Sequence, residues 1–260
     1  MREQWESVAS QDRPSWYLDP LAARQKRQLY RELVRNWTRG FLPATVLKTD
    51  LFEEAYGEDH LLFDLLPEPY IPVGIDLSLR TIARAHQKHG DTRACLFATD
   101  VRRLGLATGT VDLILSNSTL DHFATRGEFT AAMAELARVL RPGGRLVIAL
   151  DNPMNPLYFP LRWLSSRRSA PFPLGYTTTP GGLAHSLEGA GLEVLASGGL
   201  IHNPRIVSTL LFLGLRRLLG RRADAPIGFL LQTFAQLGRL PTRRLTACFI
   251  AACAQKPAAL

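Results

Sequence analysis

Residues 46–76 read VLKTDLFEEAYGEDHLLFDLLPEPYIPVGID. A short apolar run, VLKTD, leads into an acidic, helix-compatible stretch, and the chain then returns to a second apolar run, IPVGID, that ends on an acid. Strand, helix and strand within about thirty residues form the repeating unit of a parallel sheet, because parallel neighbours need a crossover of a dozen residues or more. In nucleotide-binding sheets the loop after the first strand is rich in glycine. Here it carries Lys48, Thr49, Asp50, Leu51, Phe52, Glu53 and Glu54. The loop therefore poses two questions: whether it holds a cofactor, and which one.

The same alternation extends outward in both directions. Apolar runs at 44–50, 71–76, 93–99, 111–117, 145–151 and 192–197 predict strands, and the segments 52–65, 78–89, 127–140 and 180–190 predict helices. This rhythm implies βαβ crossovers and a largely parallel sheet covered on both faces. LTACFIAACA (245–254) predicts a last strand, antiparallel and at or near an edge. Between Tyr17 and Trp37, Leu21, Leu29, Leu33 and Val34 recur at helical spacing, with Pro20 suited to an early helical position. Three segments follow from this: an N-terminal helical segment (1–43), a sheet core (44–151), and the rest of the sheet (152–260) with a loop at 152–179 and a helical insertion at 204–244.

Composition narrows the class. The chain has 260 residues, of which 46% are hydrophobic and 21% charged, as in an ordinary protein with a sizeable core. Cys95, Cys248 and Cys253 lie in apolar runs without metal-ligand spacing and are expected to be buried thiols of a reducing compartment. No run reaches the roughly 18 apolar residues of a membrane span, and the N-terminal residues lack an apolar core of a secretory signal. These features point to a cytoplasmic protein. Between Pro160 and Leu245 there are eleven arginines against three acids, an excess equal to the whole net charge of +8. A neutral core thus carries a basic C-terminal third.

Ligands of such sheets bind at the carboxyl ends of the strands. After the second strand come Gly74, Ile75, Asp76, Leu77 and Ser78; after the third, Thr99, Asp100 and Val101; after the fourth, SNSTLDH (116–122). Taken in order, GIDLS, ATDVRRLGLATGTVDLILSNSTLDHF and ELARVLRPGGRLVIAL resemble the class I S-adenosylmethionine-dependent methyltransferases over about residues 44–151. The resemblance implies an α/β, Rossmann-like fold with a seven-stranded, mostly parallel sheet, and S-adenosyl-L-methionine as cofactor. It also implies that Asp76 binds the ribose hydroxyls, Leu77 packs on the adenine, Asp100 and Val101 hold the adenine edge, and Asn117 borders the methionine moiety. Turn acids at strand ends are the alternative reading of Asp76 and Asp100.

The quoted loop departs from that family, which places an acid and a G-x-G-x-G series there. Glycines permit positive φ and close backbone approach. Lys48 stands where the acid belongs, and Gly57 is the remaining glycine. Asp50 and Glu54, with Glu53, are candidates to bind the cofactor's α-ammonium, and Thr49 to offer a hydroxyl. Three acids repel a pyrophosphate, which argues against NAD and for a cationic cofactor. A degenerate loop that binds nothing is the competing reading.

For catalysis, His122 is the candidate general base on the crevice rim, or else a packing residue at a helix start. The loop 151–179, with five prolines and five aromatics, suits an apolar ligand wall; the insertion 206–244 predicts two apolar helices broken near Ala225-Pro226 and rimmed by arginines. The expected function is methylation of a hydrophobic small molecule, lipid or lipid-linked glycan, at oxygen. Peripheral contact with anionic membrane fits the insertion. The alternatives are a non-catalytic, membrane-associating relative and an RNA methyltransferase, though arginines interleaved with leucine argue against nucleic acid.

Overall fold

The computed structural model describes residues 2–10, 19–57, 61–65, 69–90, 94–165 and 174–258. Seven strands form one sheet: β1 (Thr45–Lys48), β2 (Ile71–Asp76), β3 (Cys95–Ala98), β4 (Val111–Asn117), β5 (Leu140–Asp151), β6 (Glu193–Leu200) and β7 (Phe249–Gln255). Their order is β3-β2-β1-β4-β5-β7-β6. The chain moves outward from β1 in one direction through β2 and β3, then returns to place β4 on the other side. That reversal opens a crevice above β1 and β4. β7 alone is antiparallel to its neighbours, β5 and β6.

Strands buried on both faces account for the apolar runs. On one face, Phe129, Met133 and Leu136 of α5 (Arg126–Val139) and Leu183 and Leu187 of α7 (Pro180–Gly189) pack on the sheet. On the other, Tyr30 and Val34 of α2 (Pro20–Trp37) and Ala85 of α4 (Leu79–His89) do so. α5 begins in a capping box formed by Thr125 and Glu128, and Asp19 caps α2 by accepting from Leu21 N at 2.9 Å.

Five sequence expectations are corrected. The helix expected at 52–65 is a short α3 (Phe52–Tyr56) that ends at extended Gly57. Buried Glu54 accepts from Leu62 N at 3.3 Å and folds the chain back where a helix would have run on. The last strand starts at Phe249, because Arg243–Thr246 form a helical turn, α10. The aromatic loop contains a helix, α6 (Tyr158–Ser165). In the insertion, α8 (Arg205–Leu219) stops at Gly220, whose φ of 55° ends the helix, and α9 (Asp224–Gln236) follows a 3-10 turn. Pro226 does not break it, since it lies in the first turn of α9, where no N–H bond is lost. Cys95 is exposed, because β3 is an edge strand; Cys248 and Cys253 are buried. Arg93, expected to open β3, lies outside the described residues.

The insertion is anchored on α2: Phe212, Ala223, Ile227 and Leu231 pack against Ala22. Arg216 ties it further, reaching Asp19 at 2.6 Å and Asp224 at 2.5 Å.

Candidate active site

A cavity of about 460 Å³ lies over the carboxyl ends of the strands. Its walls include Thr49 and Asp50 after β1, Asp76 and Leu77 after β2, Asp100 and Val101 after β3, and Asn117 and His122 after β4. The sequence candidates thus converge on one space, with one exception.

That exception is Glu54. It is fully buried, outside the cavity wall, and its carboxylate takes a bond from Lys48 Nζ at 2.8 Å. The expectation that Glu54 binds the cofactor is therefore corrected. In a helix this short, one position decides whether a side chain faces ligand or core, and Glu54 faces the core. Lys48 itself is 2% exposed and also bonds the Asp50 carbonyl. The lysine at the family's acid position is a buried tie between strand and helix. Glu53 stays on the cavity wall and accepts from Lys26 at 2.7 Å.

Leu51 anchors the loop where glycines would otherwise bend it. Its side chain is buried over Gly74, where a Cβ would meet Leu51 and Leu96 carbons at 2.7 to 2.9 Å. Leu51 N donates to Asp76 Oδ2 at 3.2 Å and Ser78 N to Oδ1 at 2.8 Å, so Asp76 is pinned between the loop and the start of α4. Burial, and then the charge of Asp50, push the Asp76 carboxyl up to about 7. Thr49 Oγ1 bonds Ser116 at 3.1 Å and Thr119 at 2.8 Å.

Asp100 lines the cavity, yet its carboxylate is forked onto Arg102, with Nε at 3.0 and 3.1 Å. Burial raises this carboxyl, but the Arg102 bonds outweigh it and hold it below its ordinary range. Arg102 continues to Glu128 at 2.5 Å. His122 sits in a 3-10 turn and meets the Trp5 ring edge-on, centroids 4.9 Å apart. Trp5 belongs to α1 (Arg2–Ala9), which covers the crevice; Glu6 accepts from Leu79 N at 2.7 Å and Ala9 O from Tyr56 at 2.8 Å.

Sequence reasoning missed the opposite wall. Tyr30 of α2, Asp151 at the end of β5, and Ile201, Arg205, Ile206, Leu210 and Phe249 around the insertion all line the same cavity. Asp151 was within reach of the strand-end rule, while Tyr30 and Arg205 come from helices that only the tertiary fold brings together. Two non-glycine residues at positive φ flank this wall, Ser118 at 54° and Ile201 at 58°. Such strain persists where surrounding structure imposes it, often at sites of ligand contact.

The donor set fits an S-adenosylmethionine-type ligand. The carboxylates of Asp50 and Asp76 and the amide of Asn117 line the cavity, the Asn117 Oδ1 is buried without a hydrogen-bond partner among the described residues, and the lysines of the wall, Lys26 and Lys48, are paired with Glu53 and Glu54. A ligand bearing ribose hydroxyls and an ammonium satisfies acceptors, whereas a pyrophosphate does not.

Residues 55–148 match a family described as a methyltransferase domain. A demethylmenaquinone methyltransferase of Mycobacterium marinum is 33% identical over 87 residues, 33% of this chain and 35% of the relative. The match thus spans about a third of that protein's length. Among solved structures, the N-methyltransferase NodS of Bradyrhizobium japonicum, bound to S-adenosyl-L-homocysteine, superposes with a TM-score of 0.58 at 16% identity over 98% of each chain. A SAM-dependent methyltransferase of Methanosarcina mazei gives 0.57 at 14%, covering 87% of this chain and 98% of its own. The [4+2]-cyclase SpnF gives 0.56 at 17%, covering 99% and 92%. At these identities the likeness is one of fold, and the cyclase shows that the fold by itself does not fix the reaction.

Proposed function

We propose that this chain, whose residues 55–148 match a methyltransferase domain, is a class I S-adenosylmethionine-dependent methyltransferase that methylates a hydrophobic small molecule or lipid-like acceptor at oxygen. One observation carries this reading. A single cavity joins acceptor groups suited to the cofactor with an apolar wall of Leu161, Leu174, Ile201, Ile206, Leu210 and Phe249.

In this reading Asp76 holds the ribose hydroxyls, Leu77 and Val101 pack on the adenine, and Asp50 faces the ammonium. Asp100 meets the adenine edge with the oxygen capacity its Arg102 fork leaves free, and Asn117 and Thr49 border the methionine part. The bound cofactor supplies a sulfonium methyl for in-line attack. The chain's own task is to place the attacking oxygen about 3 Å from that methyl and exclude water, which accounts for much of the rate in such transfers. α1 and α8 close the cavity on either side. His122, on the rim, accepts the acceptor's proton.

The membrane reading rests on α8. Val207, Leu210, Leu211 and Leu218 are exposed on its outer side, Leu218 at 82%, and Arg217, Arg221 and Arg222 are exposed beside them. Phe159 and Trp163 of α6 are exposed as well. Leu210 belongs both to this apolar surface and to the cavity wall, so a lipid-like acceptor would pass from an anionic bilayer into the cavity along one greasy path. Among the described residues no helix is long and apolar enough to cross a membrane, so the contact proposed is peripheral.

The test is isothermal titration of the full chain with S-adenosylmethionine, S-adenosylhomocysteine and NAD. Micromolar affinity for the first two and none for NAD is expected. Absence of binding to all three would leave a non-catalytic relative.

A further inference from the structure

We infer that the wall opposite the cofactor residues is a site for a neutral hydroxyl of the acceptor, built by Tyr30, Asp151 and Arg205 with Asp121 behind them. This deepens the methyltransferase reading and rests on it for the identity of the neighbouring ligand. Tyr30 is 3% exposed and lines the cavity, yet its hydroxyl has no hydrogen-bond partner among the described residues. A buried hydroxyl without a partner is costlier to the fold than the matching phenylalanine, so packing does not account for it. A ligand does.

The surroundings say what kind. Arg205 is held by the Asp151 carboxylate and lies 4.3 Å from the centroid of the Phe249 ring, which fixes its guanidinium and neutralises one carboxylate. Asp121 adds a second carboxyl: its Oδ2 accepts from Ser118 at 3.0 Å and from Asp151 N at 2.7 Å, while Oδ1 has no partner among the described residues. Two carboxyl groups, Asp121 and Asp151, face Tyr30 against the one guanidinium of Arg205, while Glu53 is paired with Lys26, so the corner holds one acid more than it has cations. A carboxylate-bearing ligand is repelled there. A hydrocarbon leaves the polar atoms unmatched, and an ammonium gives the Tyr30 proton no lone pair. A neutral hydroxyl meets both needs, accepting from Tyr30 and donating to a carboxylate.

The test compares three probes of one shape, 1-naphthalenemethanol, 1-methylnaphthalene and 1-naphthoate, by naphthalene fluorescence with the full chain, with and without saturating S-adenosylhomocysteine. The alcohol should bind about fivefold tighter than the hydrocarbon, the worth of one net hydrogen bond, and the carboxylate should bind weakest. Tyr30→Phe should erase the preference for the alcohol while leaving Tm equal or higher. Asp151→Asn, which frees the Arg205 charge, should strengthen naphthoate binding. Equal affinities for the three probes would overturn the inference. So would a Tyr30→Phe chain that melts earlier and still prefers the alcohol, since the hydroxyl would then serve the fold. Failure of the wild-type chain to bind S-adenosylhomocysteine would instead remove the methyl-transfer reading, because the titration without that ligand still reports on this corner.

Discussion

The two walls of the cavity are built differently. The cofactor wall is made of strand ends and the turns that follow them, with its carboxylates pinned by backbone N–H donors or a fixed partner, as Asp76 is by Leu51 and Ser78 and Asp100 is by Arg102. The acceptor wall is made of helices that meet only in the tertiary structure, α2 and α8 with the end of β5, and it holds strained backbone at Ile201 and a hydroxyl without a partner at Tyr30. The first wall is set by local geometry, the second by long-range packing. One would be expected to tolerate little change, the other to vary.

The largest expected effect tests which side of that division the acidic loop belongs to. Glu54→Gln should destabilise the chain by about 3 kcal/mol in urea unfolding, because buried Lys48 would lose its close partner at 2.8 Å and keep the more distant Asp50 carboxylate at 3.7 Å. Affinity of the folded chain for S-adenosylhomocysteine should change little. A stable variant with tenfold weaker binding would return Glu54 to the cofactor. Next comes the outer face of α8. Arg217, Arg221 and Arg222 replaced together by Gln should remove sedimentation with anionic vesicles, at about 1 kcal/mol per residue. Arg216 does not belong in that set, since Asp19 and Asp224 already hold it. Vesicle binding that persists, or that is absent from the wild type at low salt, would leave α8 as a lid.

Asp76→Ala follows, with S-adenosylhomocysteine affinity expected to fall about tenfold, roughly 1.4 kcal/mol, and unfolding unchanged or slightly harder. Unchanged affinity would remove the ribose role. The smallest effect is a pH dependence. Folded Asp76 keeps its proton to about 7, whereas the unfolded chain releases it near the ordinary 3.8, so folding takes up a proton between those limits. The contribution of this group to ligand-free stability therefore falls as pH rises across that window and levels off above it. Ribose hydroxyls favour the ionised carboxylate, so S-adenosylhomocysteine binding at pH 6 should release a proton, read by calorimetry in buffers of different ionisation heat. No proton release would mean that Asp76 is not the group gripping the ligand.

The division also explains what could be read in the sequence. The place of Asp76, Asp100 and Asn117 on the cavity wall was legible because a strand end in a parallel sheet points its next residue at the crevice, and the apolar runs locate those ends. Glu54 was not, since the difference between ligand-facing and core-facing in a one-turn helix is a single residue of phase. The break in the insertion was placed near Pro226 and not at Gly220 for a related reason: a proline breaks a helix only beyond its first turn, and where α9 starts depends on packing against α2. Tyr30 and Arg205 left no local signal. They become neighbours only once the fold brings α2 and α8 over the end of β5.

The neck of the insertion has a consequence for how such a protein can diversify. Leu200 at the end of β6 is paired with Phe249 at the start of β7, and Cys248 N donates to Leu200 O at 3.1 Å and to Ile201 O at 2.7 Å. Everything from 202 to 247 therefore leaves and re-enters the sheet through one closed hairpin joint, on the ligand side. That segment can be lengthened, shortened or exchanged without shifting the register of a single strand. The proposed acceptor wall and surface contact would then change as a cassette, while the strand ends beneath stay fixed.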